Sequence, residues 1–357
     1  MNSKKNIENN PLLYIHIPFC DSKCNYCAFN SYTNLNHLKK EYFNAIKKQL
    51  TYEIEKHNIK KFKTIFIGGG TPSTMNIDFY EKLFTILSPY IKNIEEITIE
   101  ANPSAKYEWI KEIKNFTTRI SFGVQSFNEE KLSFLNRNHS KKDAINCVNS
   151  AFKVGFQNIN IDLIYDVKGD NKKLLKSDLD IAFSLPINHI SAYSLMIEEN
   201  SKWQNQYQNK EYNEDIEIWF IEKIKEKFNQ YEISNFGKSS IHNLGYWQLN
   251  NYIGIGSGAV GFIDNYRYYT KKDVYEYIKN PTNYFIEKLS KSDLKEEKIL
   301  LGLRSIIGFE EDILSTTEKK RVDLLIKENK LYKKENKIYN KDFLLADRIA
   351  LFIIDNN

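Results

Sequence analysis

The sequence predicts an α/β fold: a partial, TIM-like (β/α)6 barrel followed by a smaller, mainly helical C-terminal domain. Three observations carry this. Six short β-type runs fall within about the first 200 residues, and helical sequence follows each of them. The runs are mostly apolar along their length, as in parallel strands covered on both faces. After about residue 200 the alternation stops, and a turn-rich stretch leads into a compact, lysine-rich tail.

The strands read, in order, LLYIHI (12–17), TIFI (64–67), ITIE (97–100), RISFGV (119–124), NINIDLI (158–164) and HISAYSL (189–195). Helical periodicity, with apolar residues three and four apart, marks EYFNAIKKQLTYEIEKH (41–57), FYEKLFTIL (79–87), KKDAINCVNSAFKVG (141–155) and NKKLLKSDLDIAFSL (171–185). Strand and helix in repeated alternation imply parallel pairing. Six such units fall two short of a closed eightfold barrel, so the barrel is open or partial. Residues 212–229 read as a long helix, followed by a glycine-rich stretch with Gly237, Gly245, Gly254, Gly256, Gly258 and Gly261. The expected organisation is a barrel over 1–235, a connecting region over 236–293 and a small helical domain over 294–357, with apolar segments ILLGLRSII and FLLADRIALFII.

A chain of 357 residues is long enough for one large core and a smaller one. With 41% hydrophobic and 27% charged residues it is globular, not disordered or fibrous. The net charge of +5 is too weak a basic lean to indicate nucleic acid. The opening MNSKKNIENN has no apolar stretch after its lysines, so no secretory signal is expected. No run of about 18 apolar residues suggests a membrane span, and a cytoplasmic protein is the default.

Three of the four cysteines, Cys20, Cys24 and Cys27, lie within eight residues in a C-x3-C-x2-C pattern. In a chain that reads as intracellular, this points to a metal or cluster site and away from disulfides. Three thiolates on one loop can hold three corners of a cubane cluster and leave the fourth iron open to a small molecule. Zinc is the alternative, but a closed zinc site wants four ligands, and neither His16 nor His139 has the usual spacing to the thiols. Cys147 sits in a helical stretch and reads as a buried apolar residue.

Other polar groups gather at the ends of strands. Gly68-Gly69-Gly70-Thr71-Pro72 follows TIFI directly, and glycines there would let backbone N–H groups approach a ligand. Glu100 and Asn102 close the next strand, and Gln125 and Ser126 the one after. Arg137 and His139 follow in LSFLNRNHS, and Asp162 lies within NINIDLI. Carboxyl ends of parallel strands face the mouth of a barrel, so the series reads as one ligand pocket.

The C-x3-C-x-aromatic-C pattern after a first strand, with Tyr26 as the aromatic, resembles the signature of the radical S-adenosylmethionine superfamily. YIHIPFC, GGGTPS, IEANPS, RISFGVQSF, LNRNHS, NIDLIYD, YEISNFG, HNLGYW, YIGIGSGAVG and ILLGLRSI extend the resemblance to one branch. That branch is the group of oxygen-independent coproporphyrinogen III oxidases and haem chaperones HemW, and the match covers nearly the whole chain. The resemblance implies a [4Fe-4S] cluster on Cys20, Cys24 and Cys27 and S-adenosylmethionine on the open iron. It implies S-adenosylmethionine contacts at Tyr14, Tyr26, Gly69, Gly70, Thr71, Glu100, Gln125, Arg137, Asp162 and Ser194. Residue chemistry gives them roles: Glu100 for the methionyl amine, Arg137 for its carboxylate, Gln125 and Asp162 for ribose hydroxyls.

Within that branch, the oxidase resembles C-x3-C-x2-C-x-C with a longer leading segment. Here Phe29 stands at the fourth cysteine position, and 19 residues precede Cys20. Both departures point to the chaperone side. His242-Asn-Leu-Gly-Tyr246-Trp247 resembles the HNxxYW element linked there to haem, where a histidine can supply an axial nitrogen. The expected function is to bind haem and deliver it to apo-haemoproteins, respiratory ones first, with coproporphyrinogen III oxidation as the alternative. No catalytic residue is singled out, and peripheral membrane attachment and oligomeric state stay open. One departure concerns the pocket floor: IYDVKGD places Asp166 and Lys168 where the family has a Gly-Leu-Pro turn.

Overall fold

The computed structural model describes residues 10–354. The reading of the first nine residues as free of a secretory signal lies outside the described residues.

Six βα units build the first part. They comprise β1 (Leu12–Ile17), α1 (Lys39–Lys56), β2 (Thr64–Gly69), α2 (Ile77–Leu87), β3 (Glu96–Ala101), α3 (Tyr107–Ile113), β4 (Arg119–Gln125), α4 (Glu129–Phe134), α5 (Lys141–Lys153), β5 (Asn158–Tyr165), α6 (Lys172–Ser184), β6 (His189–Ser194) and α7 (Glu214–Lys225). Strands β1 to β6 lie side by side in chain order, all parallel. The partial α/β barrel expected from the sequence is therefore present. Helix starts follow local chemistry: Ser140 accepts from the Asp143 N–H and Asp143 reaches back to Ser140, a reciprocal cap worth about 1 kcal/mol.

The next stretch extends the same sheet at both edges. β7 (Asn235–Gly237) pairs antiparallel with β6. After α8 (Ile241–Trp247), β8 (Tyr252–Ile255) pairs parallel with β1, and β9 (Val260–Ile263), β10 (Tyr266–Thr270) and β11 (Tyr284–Lys288) add antiparallel beyond it, with α9 (Val274–Lys279) between the last two. The result is one eleven-stranded sheet. Residues 236–293, read from sequence as a connecting region, thus carry strands of the main sheet.

The tail forms α10 (Lys291–Leu303), β12 (Phe309–Glu310), α11 (Thr316–Lys327), β13 (Leu331–Lys334), β14 (Lys337–Asn340) and α12 (Ala346–Ile354). It is mainly helical, as expected, but it also holds a three-stranded antiparallel sheet of its own. A separate core that includes Ile299, Leu303, Phe309, Leu325 and Ile338 supports it. It is tied to the main sheet by Ile306 N–H to Tyr231 O (2.9 Å) and Ile233 N–H to Arg304 O (2.8 Å).

The six parallel strands differ from the sequence reading in one respect that matters for function. Alternate residues such as Ile65, Ile67, Ile99, Ile120, Phe122 and Ile161 are buried in the large core. On β3 to β6 the intervening positions are polar: Thr98, Glu100, Arg119, Ser121, Asn160, Asp162, His189 and Ser191. Register aligns them across the sheet, with Thr98 opposite Arg119, Ser121 opposite Asn160, and Asp162 opposite Ser191. Because side chains alternate faces along a strand, one face of the sheet is apolar and the other a polar wall.

Candidate functional site

The polar wall opens at the carboxyl ends of the strands into a cavity of ≈ 320 Å³. Cys20, Cys24, Cys27, Tyr26, Gly69, Gly70, Thr71, Glu100, Gln125, Arg137, Asp162 and Ser194 all line it. These twelve positions come from loops and strands up to 174 residues apart in sequence, as Cys20 and Ser194 are. Fourteen residues were expected in the site, and the structure brings all but Tyr14 and His242 to this one cavity.

The cysteine loop is fastened from outside. Asn25 N–H donates to Leu135 O (3.2 Å), Asn25 Nδ2 to Phe134 O (2.9 Å) and Asn136 Nδ2 to Lys23 O (2.9 Å). Donors also surround the sulfurs. Arg137 Nη1 lies 3.0 Å from Cys24 Sγ, and Thr71 Oγ1 donates to Cys20 Sγ at 3.3 Å. Ser31 Oγ is 4.0 Å from Cys27 Sγ. Burial pushes the Cys20 thiol up, and the Thr71 and Ser31 hydroxyls pull it back. Burial likewise raises Cys27. A set of converging donors suits thiolates and cluster sulfides, which are acceptors only, so the residues present fit a thiolate-held iron–sulfur group.

The glycine run answers a crowding problem. A Cβ on Gly68 would sit 2.8 Å from Glu100 Oε2, and one on Gly69 would sit 2.5 Å from the His16 ring. Gly69 also has φ = +114°, a conformation that side chains strain to adopt. Its N–H donates to Glu100 Oε2 at 3.1 Å. Burial, followed by the nearby Asp162 carboxyl, pushes Glu100 up to about 8. A buried acid of this kind would release its proton when a cation arrives beside it.

Gln125 reaches the cavity through a distortion of β4. The β4–β5 register shifts between Phe122 and Gln125, and Gln125 takes φ = +70°. Such a bulge re-aims a side chain. Asp178 holds it from behind, accepting from Ser126 Oγ (2.6 Å) and Phe127 N–H (2.7 Å). Below, Asp162 is raised by burial, against the hydrogen bond that Asn160 Nδ2 donates to it at 2.7 Å.

The IYDVKGD turn is shaped at Asp166. Asp166 takes φ = +62°, a left-handed conformation that Gly adopts without cost. Ser194 Oγ donates to Asp166 Oδ2 (2.5 Å), and Lys210 Nζ donates to Ser194 Oγ (2.9 Å).

Two expected residues lie elsewhere. Tyr14 does not line the cavity; its hydroxyl bonds His16 Nδ1 (2.9 Å), and His16 Nε2 bonds Asn30 O (2.8 Å). Since a carbonyl only accepts, His16 Nε2 carries the hydrogen and Tyr14 donates to Nδ1. Tyr14 thus braces the ring on which Gly69 rests. His242, at the start of α8, is fully buried near the opposite, amino-terminal end of β2. Thr64 Oγ1 (2.7 Å) and Tyr246 OH (2.9 Å) occupy both ring nitrogens, and the ring packs on Phe66 at 5.3 Å. Burial, then the charge of Arg119, pushes it down to about 3. No exposed axial nitrogen is offered there, so the sequence expectation for His242 lacks the open geometry it needs.

Sequence reading missed Arg119, Asn160, His189 and Tyr231 as parts of the site, and weighed His16 only as a fourth metal ligand. The signal for Asn160 was present in the strict alternation of NINIDLI, and the RIS of RISFGV held the same signal for Arg119. His139, weighed as a fourth metal ligand, bonds Val124 O (3.1 Å) and does not line the cavity. Cys147 is buried in α5, its thiol on Ala144 O, as expected.

Comparison with known proteins gives the family and the fold. The family model of the radical SAM superfamily matches residues 14–181. The haem chaperone HemW of Lactococcus lactis is 34% identical over 89% of this chain and 90% of its own. The HemW of Bacillus subtilis is 34% identical over 83% of each chain. Among solved structures, the coproporphyrinogen III oxidase HemN of Escherichia coli superposes with a TM-score of 0.83 over 98% of this chain and 91% of its own, at 18% identity. That likeness speaks for the fold.

Proposed function

The chain belongs to the radical SAM family of haem chaperones HemW, and from that premise we propose that it binds haem and hands it to apo-haemoproteins, holding a [4Fe-4S] cluster and S-adenosylmethionine at the cavity. The observation that carries the cofactor reading is the convergence of the three thiols, the glycine run, Glu100, Gln125, Arg137 and Asp162 on one cavity. A plain electron carrier needs only the thiols.

When bound, such a cluster supplies one-electron reduction to the sulfonium it chelates. The chain's own residues do the rest. Cys20, Cys24 and Cys27 would hold three irons, with Thr71 and Arg137 donating to the first two sulfurs. Glu100 would give up its proton to receive the methionyl ammonium, and Arg137 would pair the carboxylate. Asp162 and Gln125 would take the ribose hydroxyls.

For haem, the support lies at the rim of the same cavity. Phe29 is 69% exposed and Met196 64% exposed, and both line it together with Tyr193. They offer a flat, polarisable apolar surface to a porphyrin. Ligation by His242 would need Tyr246 and Phe66 to move aside. We therefore assign the haem-facing surface to this rim. Phe29 also stands where the oxidase branch carries a cysteine, which favours the chaperone over the enzyme.

The experiment is an anaerobic haem titration of reconstituted protein, run beside an oxidase assay with coproporphyrinogen III, S-adenosylmethionine and a reductant. A Soret shift that weakens in Phe29→Ser and persists in His242→Gln supports the reading. Formation of protoporphyrinogen IX, or no Soret shift at all, overturns it.

A further inference from the structure

Beneath Asp162 runs a chain of hydrogen bonds whose directions follow from the Asn160 amide. Asn160 Nδ2 lies 2.7 Å from Asp162 Oδ1 and 2.7 Å from Ser121 Oγ. Asn160 Nδ2 is the donor to both, so the amide presents its NH2 on that side and its carbonyl on the other. Its carbonyl oxygen then faces His189 Nδ1, with Ser191 Oγ donating from 3.3 Å. A carbonyl accepts only, so His189 Nδ1 carries the hydrogen. Burial, followed by the charge of Arg119, keeps the ring neutral, its proton affinity well below the usual range. Neutral imidazole protonated at Nδ1 accepts at Nε2, and Tyr231 OH lies there at 2.8 Å. The Tyr231 oxygen in turn takes the Ser240 N–H at 3.1 Å. Every donor from Ser240 onward points toward Asp162.

We propose that His189 is a positioning residue for ligand hydroxyls in the cavity: its Nδ1–H locks the Asn160 amide with the NH2 toward Asp162, which holds the carboxylate aimed at the ligand. Reversing that amide would set a carbonyl oxygen against a carboxylate oxygen at hydrogen-bond distance, acceptor against acceptor. The other groups facing Asp162 do not substitute for this contact. Glu100 on β3 repels it, Arg119 on β4 and Arg137 after α4 attract it without a direct bond, and Ser191 and Tyr193 approach from β6. The inference rests on the reading of the cavity as an S-adenosylmethionine site.

Two substitutions separate positioning from filling space. Asn at 189 can place an N–H near Nδ1 and so keep the bond to Asn160; Gln places its amide near Nε2 and keeps only the bond to Tyr231. In anaerobically reconstituted protein, S-adenosylmethionine affinity measured by calorimetry should stay within about twofold for His189→Asn. It should fall about tenfold for His189→Gln, the scale of one hydrogen bond lost from a buried network. Equal weakening in both variants, or none in His189→Gln, overturns the proposal. No binding by the unsubstituted chain overturns the cavity reading and this inference with it. Should His189→Gln fail to fold, 15N NMR of the unsubstituted protein decides: a ring protonated at Nδ1 is expected, and one protonated at Nε2 overturns the proposal.

Discussion

Glu100 Oε2 takes the Gly69 N–H at 3.1 Å, in the space that a side chain on Gly68 would fill. The glycine run and the acid are therefore one device, since the bare backbone lets a carboxyl stand partly shielded at the cavity floor. Burial there raises Glu100 to about 8, so the native protein holds its proton more tightly than the unfolded chain does. A raised acid stabilises fully below the unfolded value of 4.5, and that contribution is lost as pH rises to about 8. Glu100→Gln cannot ionise. Denaturant titrations should show the variant gaining on the unsubstituted protein by a few kcal/mol, on the order of the shift, between those two pH values. S-adenosylmethionine affinity should fall by about tenfold or more. Parallel stability curves for the two proteins would refute the assignment.

Arg137 spans the cluster loop and the strand wall, donating to Cys24 Sγ at 3.0 Å and to Gly123 O at 2.6 Å. Its Nε is buried without a hydrogen-bond partner. Lysine cannot reproduce that fork. Arg137→Lys should keep about four irons per chain after anaerobic reconstitution, because the three thiols remain. Its affinity for S-adenosylmethionine should drop about tenfold. Cys24→Ala should lose the cluster absorbance instead. Full iron in Cys24→Ala would contradict the ligand assignment.

Lys131 and Asp170 form a buried ion pair under the end of β5, with both side chains almost wholly enclosed. Lys131 Nζ meets both carboxylate oxygens at 2.7 and 2.9 Å, and also Ile164 O at 2.7 Å. Ile164 lines the cavity, so the pair anchors its wall. Lys131→Met leaves a buried carboxylate without its counter-charge, with only the Val167 N–H (3.0 Å) donating to it, which costs about 3–5 kcal/mol. Urea unfolding should register a loss of that size. A change under 1 kcal/mol, roughly the level of an exposed pair, would show that Asp170 finds water.

The parts of this site legible in the sequence are those whose chemistry is local. C-x3-C-x2-C, GGGTP and the polar ends of strands declare themselves within a few residues, and so does the βα alternation. What stayed hidden depends on partners far along the chain. Glu96, on β3, caps α8 by accepting from Ser240 Oγ (2.9 Å) and His242 N–H (3.1 Å), 144 and 146 residues away. The apolar emphasis of the strands masked the alternation that makes Arg119, Asn160 and His189 a polar wall. Strands β8 to β11 could not be assigned to the main sheet from sequence because β8 pairs with β1, some 240 residues earlier. In the C-terminal domain, strands of two to four residues are too short for a period-2 pattern to register.

His242 sits in a closed setting, away from the cavity. Its ring is enclosed by Thr64, Tyr246 and Phe66, with both nitrogens bonded. Because burial lowers its proton affinity to about 3, the native state excludes a proton that the unfolded chain accepts below its ordinary value of 6.5. Stability from this residue is thus present above 6.5 and lost as pH falls toward about 3. His242→Gln removes that acid dependence but leaves Thr64 Oγ1 or Tyr246 OH without a partner, at a cost of about 1–3 kcal/mol near neutral pH. Urea unfolding of both proteins across the acid range should therefore show two curves that converge as pH drops. The Soret titration of the same variant should match the unsubstituted protein, since the rim proposed to face haem is at the other end of the strands. A variant that folds, keeps its cluster and yet loses the Soret shift would return the axial ligand to α8. It would also require Tyr246 to swing away when haem binds.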